Sequence, residues 1–405
     1  MKKQFLLVSG LFLCLIVFNS CVTQKKLGYQ TDKSLLQTID KNFTDADAQY
    51  KVMMKLLPPD RFPKTFENGK LETSGSGWWC SGFYPGTLFY IYEQNKDAAL
   101  YNEALRILQP LEKEQYNKGT HDLGFMMYCS FGNANRISPK PEYKEVIINS
   151  AKSLSTRFNP AVGCIKSWNS KPGDFLVIID NMMNLELLFE ATKLTGDSSF
   201  YHIAVTHANT TIKNHFRPDY SSYHVVVYDT ATGKKIKGIT HQGYSDNSMW
   251  ARGQSWAIYG YTMVYRETKD ERFLDFAQKV TDVYLERLPK DLIPYWDFDD
   301  PSIPNAPRDA SVACVVASAL LELSRFVKDE SKTKLYQEKA EAMLKELSAH
   351  YQSRDVNNAF LLHSTGHKPA GSEIDASIIY ADYYYIEALL REKKLKEGKS
   401  IYDKL

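Results

Sequence analysis

From His241 to Trp256 the chain reads His-Gln-Gly-Tyr-Ser-Asp-Asn-Ser-Met-Trp-Ala-Arg-Gly-Gln-Ser-Trp. Sixteen residues hold three donors (Gln242, Arg252, Gln254), a carboxylate (Asp246), an imidazole (His241) and two indoles (Trp250, Trp256). From Trp256 onward the pattern becomes a helix, apolar on nearly every face. A helix mouth offers unpaired N–H groups and the positive end of the helix dipole, which makes it a ready anion site. A surface loop capping a core helix is the plainer alternative. Arg and large aromatics crowded into one entry loop favour a site.

Other apolar helices also open on polar residues: His121-Asp122, Asp180-Asn181, Arg308-Asp309 and Glu373-Ile374-Asp375. Gathered on one rim with Arg252-Gly253-Gln254, they make an acidic, amide-rich pocket. Trp78, Trp79, Trp168, Trp250 and Trp296 fall in nearby loops. A sugar ring has an apolar face and a hydroxyl edge, so aromatic platforms beside carboxylates and amides suit carbohydrate. Asp180 stands among apolar residues in Phe175-Leu176-Val177-Ile178-Ile179-Asp180-Asn181-Met182. Burial raises a carboxyl pKa and fits a general acid. Helix capping is the competing role for both Asp180 and Asp122; their corresponding places in successive helices point to a pair. Asp309 and Asp375 read as caps or partners of Arg308. His241 and His224, judged by residue type alone, read as satisfied core histidines, and Tyr380, Tyr383, Tyr384 and Tyr385 as wall packing.

The elements that must position these groups repeat. Asp97, Asp197, Asp270 and Asp329 each precede an amphipathic stretch, where a capping carboxylate is favourable. Each such stretch follows a very apolar one, giving degenerate helical hairpins along one chain. Apolar helices are predicted near Phe83, His121, Ile178, Trp250, Arg308 and Asp375. Their amphipathic successors begin near Asp97, Pro141, Asp197, Asp270 and Ser331, and a first helix from Asp32 to Leu57 is left to pair with the last. Six inner and six outer helices closing on themselves make an all-α (α/α)6 barrel. Residues Ser222–Ile236 alternate around a glycine turn and read as a small β-hairpin insertion.

Length allows two average domains or one large one. A formal charge of +2 with no basic run argues against nucleic acid as a partner. Met1-Lys2-Lys3 followed by an apolar run from Phe5 to Phe18 reads as an export signal, since a spanning helix needs ~20 residues. Its end at Ser20-Cys21 resembles a bacterial lipoprotein signal, with lipidation at Cys21 as the only membrane link; an ordinary secretory signal with a chance Cys is the alternative. The expected domain plan is a signal over 1–21, a tether over 22–31 and one catalytic domain over 32–395, in an exported, periplasmic or outer-membrane-anchored protein. Cys80, Cys129, Cys164 and Cys314 are scattered and expected to be buried thiols. With nine histidines but no ligand spacing, no metal or other cofactor is expected.

Taken together the motifs resemble the unsaturated glucuronyl hydrolases of glycoside hydrolase family 88. The matching stretches are Trp79-x-x-Gly82-Phe83, His121-Asp122-x-Gly124-Phe125, Ile179-Asp180-Asn181-Met182-x-Asn184, Ser222-Tyr223-His224-Val225, and His241-Gln242-Gly243 through Gln254. Arg308-Asp309-Ala310-Ser311 and Glu373-Ile374-Asp375 with Tyr380-x-Asp382-Tyr383-Tyr384 complete them. The resemblance implies the same barrel, with Asp180 as general acid/base and Asp122 as a second essential carboxylate. It further implies that His121, His224 and Gln242 hold an unsaturated uronic ring among Trp79, Trp168 and Trp250, with Arg252 lining the next subsite. The implied substrate is an unsaturated oligosaccharide left by a polysaccharide lyase. Cys80 and Tyr84 depart from residues common in the family and bear on substrate placement. Lys368, in a loop before the last inner helix, could join Arg252 in meeting a sulfate; a solvated surface Lys is the equal alternative. Rival functions are an unsaturated rhamnogalacturonyl hydrolase and a noncatalytic lipid-anchored glycan-binding protein.

Overall fold

The computed structural model describes residues 33–402 apart from 170, 172 and 355–358. The expected signal, tether and lipidation Cys21 therefore lie outside the described residues. The first helix, α1, spans Lys33–Leu56 and buries one face, through Leu35, Ile39, Phe43, Ala46, Tyr50 and Met53. Apolar residues recurring at three- and four-residue steps put those side chains on one stripe.

Helical hairpins follow in chain order. α2 (Phe83–Asn95) turns into α3 (Ala98–Leu111), and a π-helical segment, Gly124–Gly132, runs into α4 (Asn133–Ile137) and then α5 (Pro141–Ser155). α6 (Asn181–Thr195) pairs with α7 (Ser198–Asn214), α8 (Ala251–Thr268) with α9 (Glu271–Glu286), and α10 (Ala310–Leu323) with α11 (Glu330–His350). α12 (Ile379–Lys396) is last. The predicted caps are formed: Asp97, Asp197, Asp270 and Asp329 each accept backbone N–H bonds at the starts of α3, α7, α9 and α11.

Two concentric rings result. The π-helical segment packs between α2 and α6, α8 between α6 and α10, and α12 between α10 and α2, closing the inner ring. Burial explains the composition of this ring: α10 is buried along its whole length and α8 from Ala251 to Tyr265. α1 seals the outer ring against α2, α3, α11 and α12. Asn42 of α1 donates to Ser348 of α11 at 3.0 Å and to Tyr385 of α12 at 2.9 Å, and Tyr50 donates to Asp382 of α12 at 3.0 Å. Chain ends far apart in sequence are thus stitched by buried polar bonds, which cost stability if left half-made.

The strand content exceeds the sequence expectation. β1 (Phe62–Glu67) pairs with β2 (Lys70–Ser74) and with the short β8 (Ser377–Ile378), and β3 (Phe158–Asn159) pairs with β4 (Cys164–Ile165). The hairpin expected over 222–236 is β6 (Val225–Asp229) and β7 (Lys235–Ile239), but it joins a third strand, β5 (Asp174–Ile178), in an antiparallel sheet. Ile178, read as the start of an inner helix, ends that strand, and α6 begins at Asn181. A short apolar run fits strand or buried helix equally, and cross-strand pairing decides here. All four described cysteines are free; Cys80, Cys164 and Cys314 are buried and Cys129 is half-buried. No described helix is long and apolar enough to cross a membrane.

Candidate active site

The β5–β6 pairing places the two central groups. Its register sets Ile178 opposite Val225, and the next residue extends it, Ile179 N–H donating to the His224 carbonyl at 3.0 Å. Asp180 and His224 therefore emerge side by side where the sheet meets α6. Asp180 occupies the N-cap position of α6, yet its side chain caps nothing. Its Oδ2 is buried without a protein partner. Burial lifts the Asp180 carboxyl to about 7; Arg252 opposes the rise and the charge of Asp122 adds to it.

His224 is held in one tautomer. Its Nδ1 accepts the backbone N–H groups of His241 and Gln242, both at 3.0 Å. The proton of the neutral ring is therefore on Nε2, which lies 3.8 Å from Asp180 Oδ2. Burial first, then His241 and Arg252, push the His224 pKa well below its ordinary value, so the ring is neutral. The indole of Trp250 covers it at 4.4 Å between centroids.

Asp122 stands just before the π-helical segment. Thr120 donates to its Oδ2 at 3.2 Å, and His121 Nε2 lies 3.2 Å from its Oδ1. His121 Nδ1 bonds to the Ser167 carbonyl at 2.8 Å, so that nitrogen carries the hydrogen. Trp168 is half-buried between His121 and His241, with centroids 6.3 and 5.5 Å away. Trp79, also half-buried, rests on Tyr380 at 5.0 Å and Phe125 at 5.4 Å. Gln242 is half-buried at the turn that closes on His224.

Other expected residues have different surroundings. Arg252 is 2% exposed, donates to Asp309 at 2.7 Å and to the Thr365 and Gly366 carbonyls at 2.5 Å, and stacks on Trp250. It is occupied inside the protein, contrary to the expectation that it lines a subsite. Asp309 caps α10 through Ser311 and pairs with Arg252; Arg308 pairs with Asp291 instead. Lys368 is not free for a sulfate: its ammonium meets Asp300 at 2.8 Å and sits over Trp296. His241 is not a core histidine but exposed, 5.0 Å from the ring of His367. Among the tryptophans, Trp78 points to the surface and Trp296 is buried on Asp300.

Buried polar atoms normally have partners, so grouped exceptions are informative. His121 Nε2, Asp180 Oδ2, Asn184 Nδ2, His224 Nε2, Trp256 Nε1 and Tyr380 OH lack protein hydrogen bonds. All belong to residues at or next to the inner-helix starts just described. A polar ligand there would supply the missing partners. At the opposite helix ends a cavity of about 790 Å³ includes Arg266, Arg391 and Glu387 in its lining. Those charges are paired within the protein, Arg266 with Glu186, Glu267 and Glu322 and Arg391 with Glu387. Of these, Trp256 falls inside the 241–256 stretch that the sequence marks as a site, whereas Tyr380 reads there as wall packing and Asn184 is given no role; its signal is its place one helical turn beyond Asp180 in the Ile179-Asp180-Asn181-Met182-Met183-Asn184 run.

The family model for Glycosyl Hydrolase Family 88 matches residues 58–398. An unsaturated glucuronyl hydrolase of Formosa agariphila is 46% identical over 370 residues, 89% of this chain and 92% of the relative. The crystal structure of an unsaturated glucuronyl hydrolase specific for heparin aligns with a TM-score of 0.86 and 44% identity, covering 90% of this chain and all of that one. A Streptococcus agalactiae unsaturated glucuronyl hydrolase variant complexed with dGlcA-GalNAc6S aligns with a TM-score of 0.79 and 28% identity, covering 91% and 94%. The (α/α)6 barrel, the site at its inner-helix starts and these matches agree: the chain is a glycoside hydrolase and belongs to glycoside hydrolase family 88.

Proposed function

We propose that this enzyme removes a 4,5-unsaturated uronic acid from the non-reducing end of lyase-generated oligosaccharides, by hydrating the ring double bond. The observation that carries this reading is Asp180, a buried, uncapped carboxyl raised to about 7. Near neutral pH such a group both gives and takes a proton, which general acid/base catalysis requires. One buried carboxyl whose Oδ2 has no protein partner fits hydration, which needs a single proton-carrying group, better than the two-carboxylate displacement of most glycosidases.

In the proposed reaction Asp180 protonates carbon 4 of the vinyl ether, leaving an oxocarbenium ion at carbon 5. Water adds to carbon 5 and returns its proton to Asp180. The hemiketal so formed opens at the bond from carbon 5 to the ring oxygen, giving a ketone and a hemiacetal at carbon 1. Collapse of that hemiacetal frees the neighbouring sugar and leaves a ring-opened keto acid. One water is consumed and no redox change occurs. His224 offers an Nε2–H to an oxygen of the ring, Asp122 accepts from ring hydroxyls, and His121, Gln242, Trp79, Trp168 and Trp250 enclose it. Arg252 acts from behind, supporting Trp250 and the 365–366 turn.

Sulfated glycosaminoglycan disaccharides are the substrate class favoured by the names of the relatives, heparin-specific in one and GalNAc6S-bound in another. Turnover of unsaturated heparin, chondroitin and hyaluronan disaccharides, with and without sulfate, tests the assignment through loss of ultraviolet absorbance. Activity on at least one supports it; inactivity on all, with turnover of an unsaturated rhamnogalacturonan disaccharide, replaces it with that rival. Export on the signal ending at Cys21, with a lipid anchor, belongs to the same proposal. Mass analysis of the mature N-terminus checks it.

A further inference from the structure

Asp122 and Asp180 come from different segments, the residues leading into the π-helical segment and the start of α6. One side chain joins those segments directly. Asn184, 1% exposed, lies one turn along α6 from Asp180 and thus on the same face. Its Oδ1 accepts the backbone N–H of Phe125 at 2.9 Å, three residues beyond Asp122. The Asp122 carbonyl in turn accepts the Met126 N–H at 2.9 Å, tying the acid to that same first turn. Gly124 makes the approach possible: a Cβ there would lie 2.5 Å from Asn184 Cα and 2.7 Å from its Oδ1. The carboxamide Nδ2 is buried without a partner, so the residue is not placed merely to satisfy itself. π-Helical geometry inside an inner ring is itself uncommon and often marks functional sites.

We propose that Asn184, seated against Gly124, is a positioning residue that sets the spacing of Asp122 from Asp180. The proposal deepens the reading above, because it rests on those two acids acting together. Charged and titratable groups facing Asp180 are Asp122 from the π-helical side, Arg252 from α8 and His224 from the residue just before β6. Of these, Asp122 is the one whose distance the strut governs.

The first arm of the test needs no substrate. The Asp180 carboxyl is titrated by carbon NMR, its signal assigned by its loss in Asp180→Asn, in the wild type, Asn184→Asp and Asn184→Leu. Asn184→Asp keeps an oxygen for the Phe125 N–H and adds a third acid, so the Asp180 midpoint moves up. Asn184→Leu conserves bulk without the acceptor; Asp122 recedes and the midpoint moves down. In the second arm kcat of Asn184→Leu on an unsaturated disaccharide falls roughly 10²-fold, the scale of a small misplacement, while KM stays within about threefold. An unmoved midpoint in Asn184→Leu overturns the proposal, whether activity is retained or falls only with the folded fraction seen by circular dichroism. If Asn184→Leu does not fold, Gly124→Ala, which forces the same segments apart, carries the same expected shift and the same overturning result. Absence of wild-type turnover would count against the assigned reaction alone, since the titration still decides the strut.

Discussion

His224 Nε2 faces Asp180 Oδ2 across 3.8 Å, and neither atom has a protein hydrogen bond. The gap is too long for a direct bond and leaves room for a ligand oxygen between them. Because Nδ1 accepts two backbone N–H groups, the hydrogen on Nε2 is available to that oxygen. The geometry makes His224 a neutral donor with no proton to exchange in the working range.

Nitrogen NMR of the histidines checks this. His224 is expected to show a protonated Nε2 and a bare Nδ1, with no titration between about pH 5 and 8. In His224→Phe the partly buried N–H groups of His241 and Gln242 lose their acceptor, at no more than about 1–3 kcal/mol each, and melting falls accordingly. A His224 that titrates near its ordinary value would contradict the assigned tautomer.

The raised Asp180 carboxyl makes stability depend on pH. Its carboxyl is raised from 3.8 to about 7 in the folded enzyme, so the fold binds that proton more tightly than the unfolded chain does. The resulting stabilisation is full below the unfolded value and is lost as pH rises through about 7. Asp180→Asn, which cannot ionise, should match the wild type near pH ~4 and exceed it near pH ~8 by on the order of a few kcal/mol. Thermal melts at both values measure it. A variant no more stable at the higher pH would mean that the carboxyl is not raised.

Arg252 separates a structural from a binding role. Its guanidinium neutralises Asp309, which is fully buried, so Arg252→Met strands that charge and should cost about 3–5 kcal/mol. Urea unfolding gives the value. Near-wild-type stability with a raised KM would instead return Arg252 to direct substrate contact.

The hairpin rhythm of the barrel was legible because buried inner helices and amphipathic outer ones differ in composition, and Asp97, Asp197, Asp270 and Asp329 mark the joints. Asp174–Ile178 was not, since its short apolar run from Phe175 to Ile178 carries no periodicity that tells strand from helix. Asp180 and Asp122 could be singled out as polar groups in apolar settings. The fate of Arg252 could not, because its partners Asp309 and Thr365 lie 57 and 113 residues away. The same holds for Lys368, claimed by Asp300 across 68 residues, and for His241, whose exposure depends on how the 241–248 turn folds over His224. Long-range pairing decides whether a charged side chain meets solvent, ligand or protein, and residue type alone carries none of it.

In the proposed reaction one carboxyl, Asp180, performs the proton transfers. The direct measurement is kcat of folded Asp180→Asn on an unsaturated glycosaminoglycan disaccharide the wild type turns over, followed by loss of ultraviolet absorbance. The expected result is a fall of roughly 10²–10⁴-fold or more with the fold intact by circular dichroism; near-wild-type turnover in that variant would rule out Asp180 as the proton carrier.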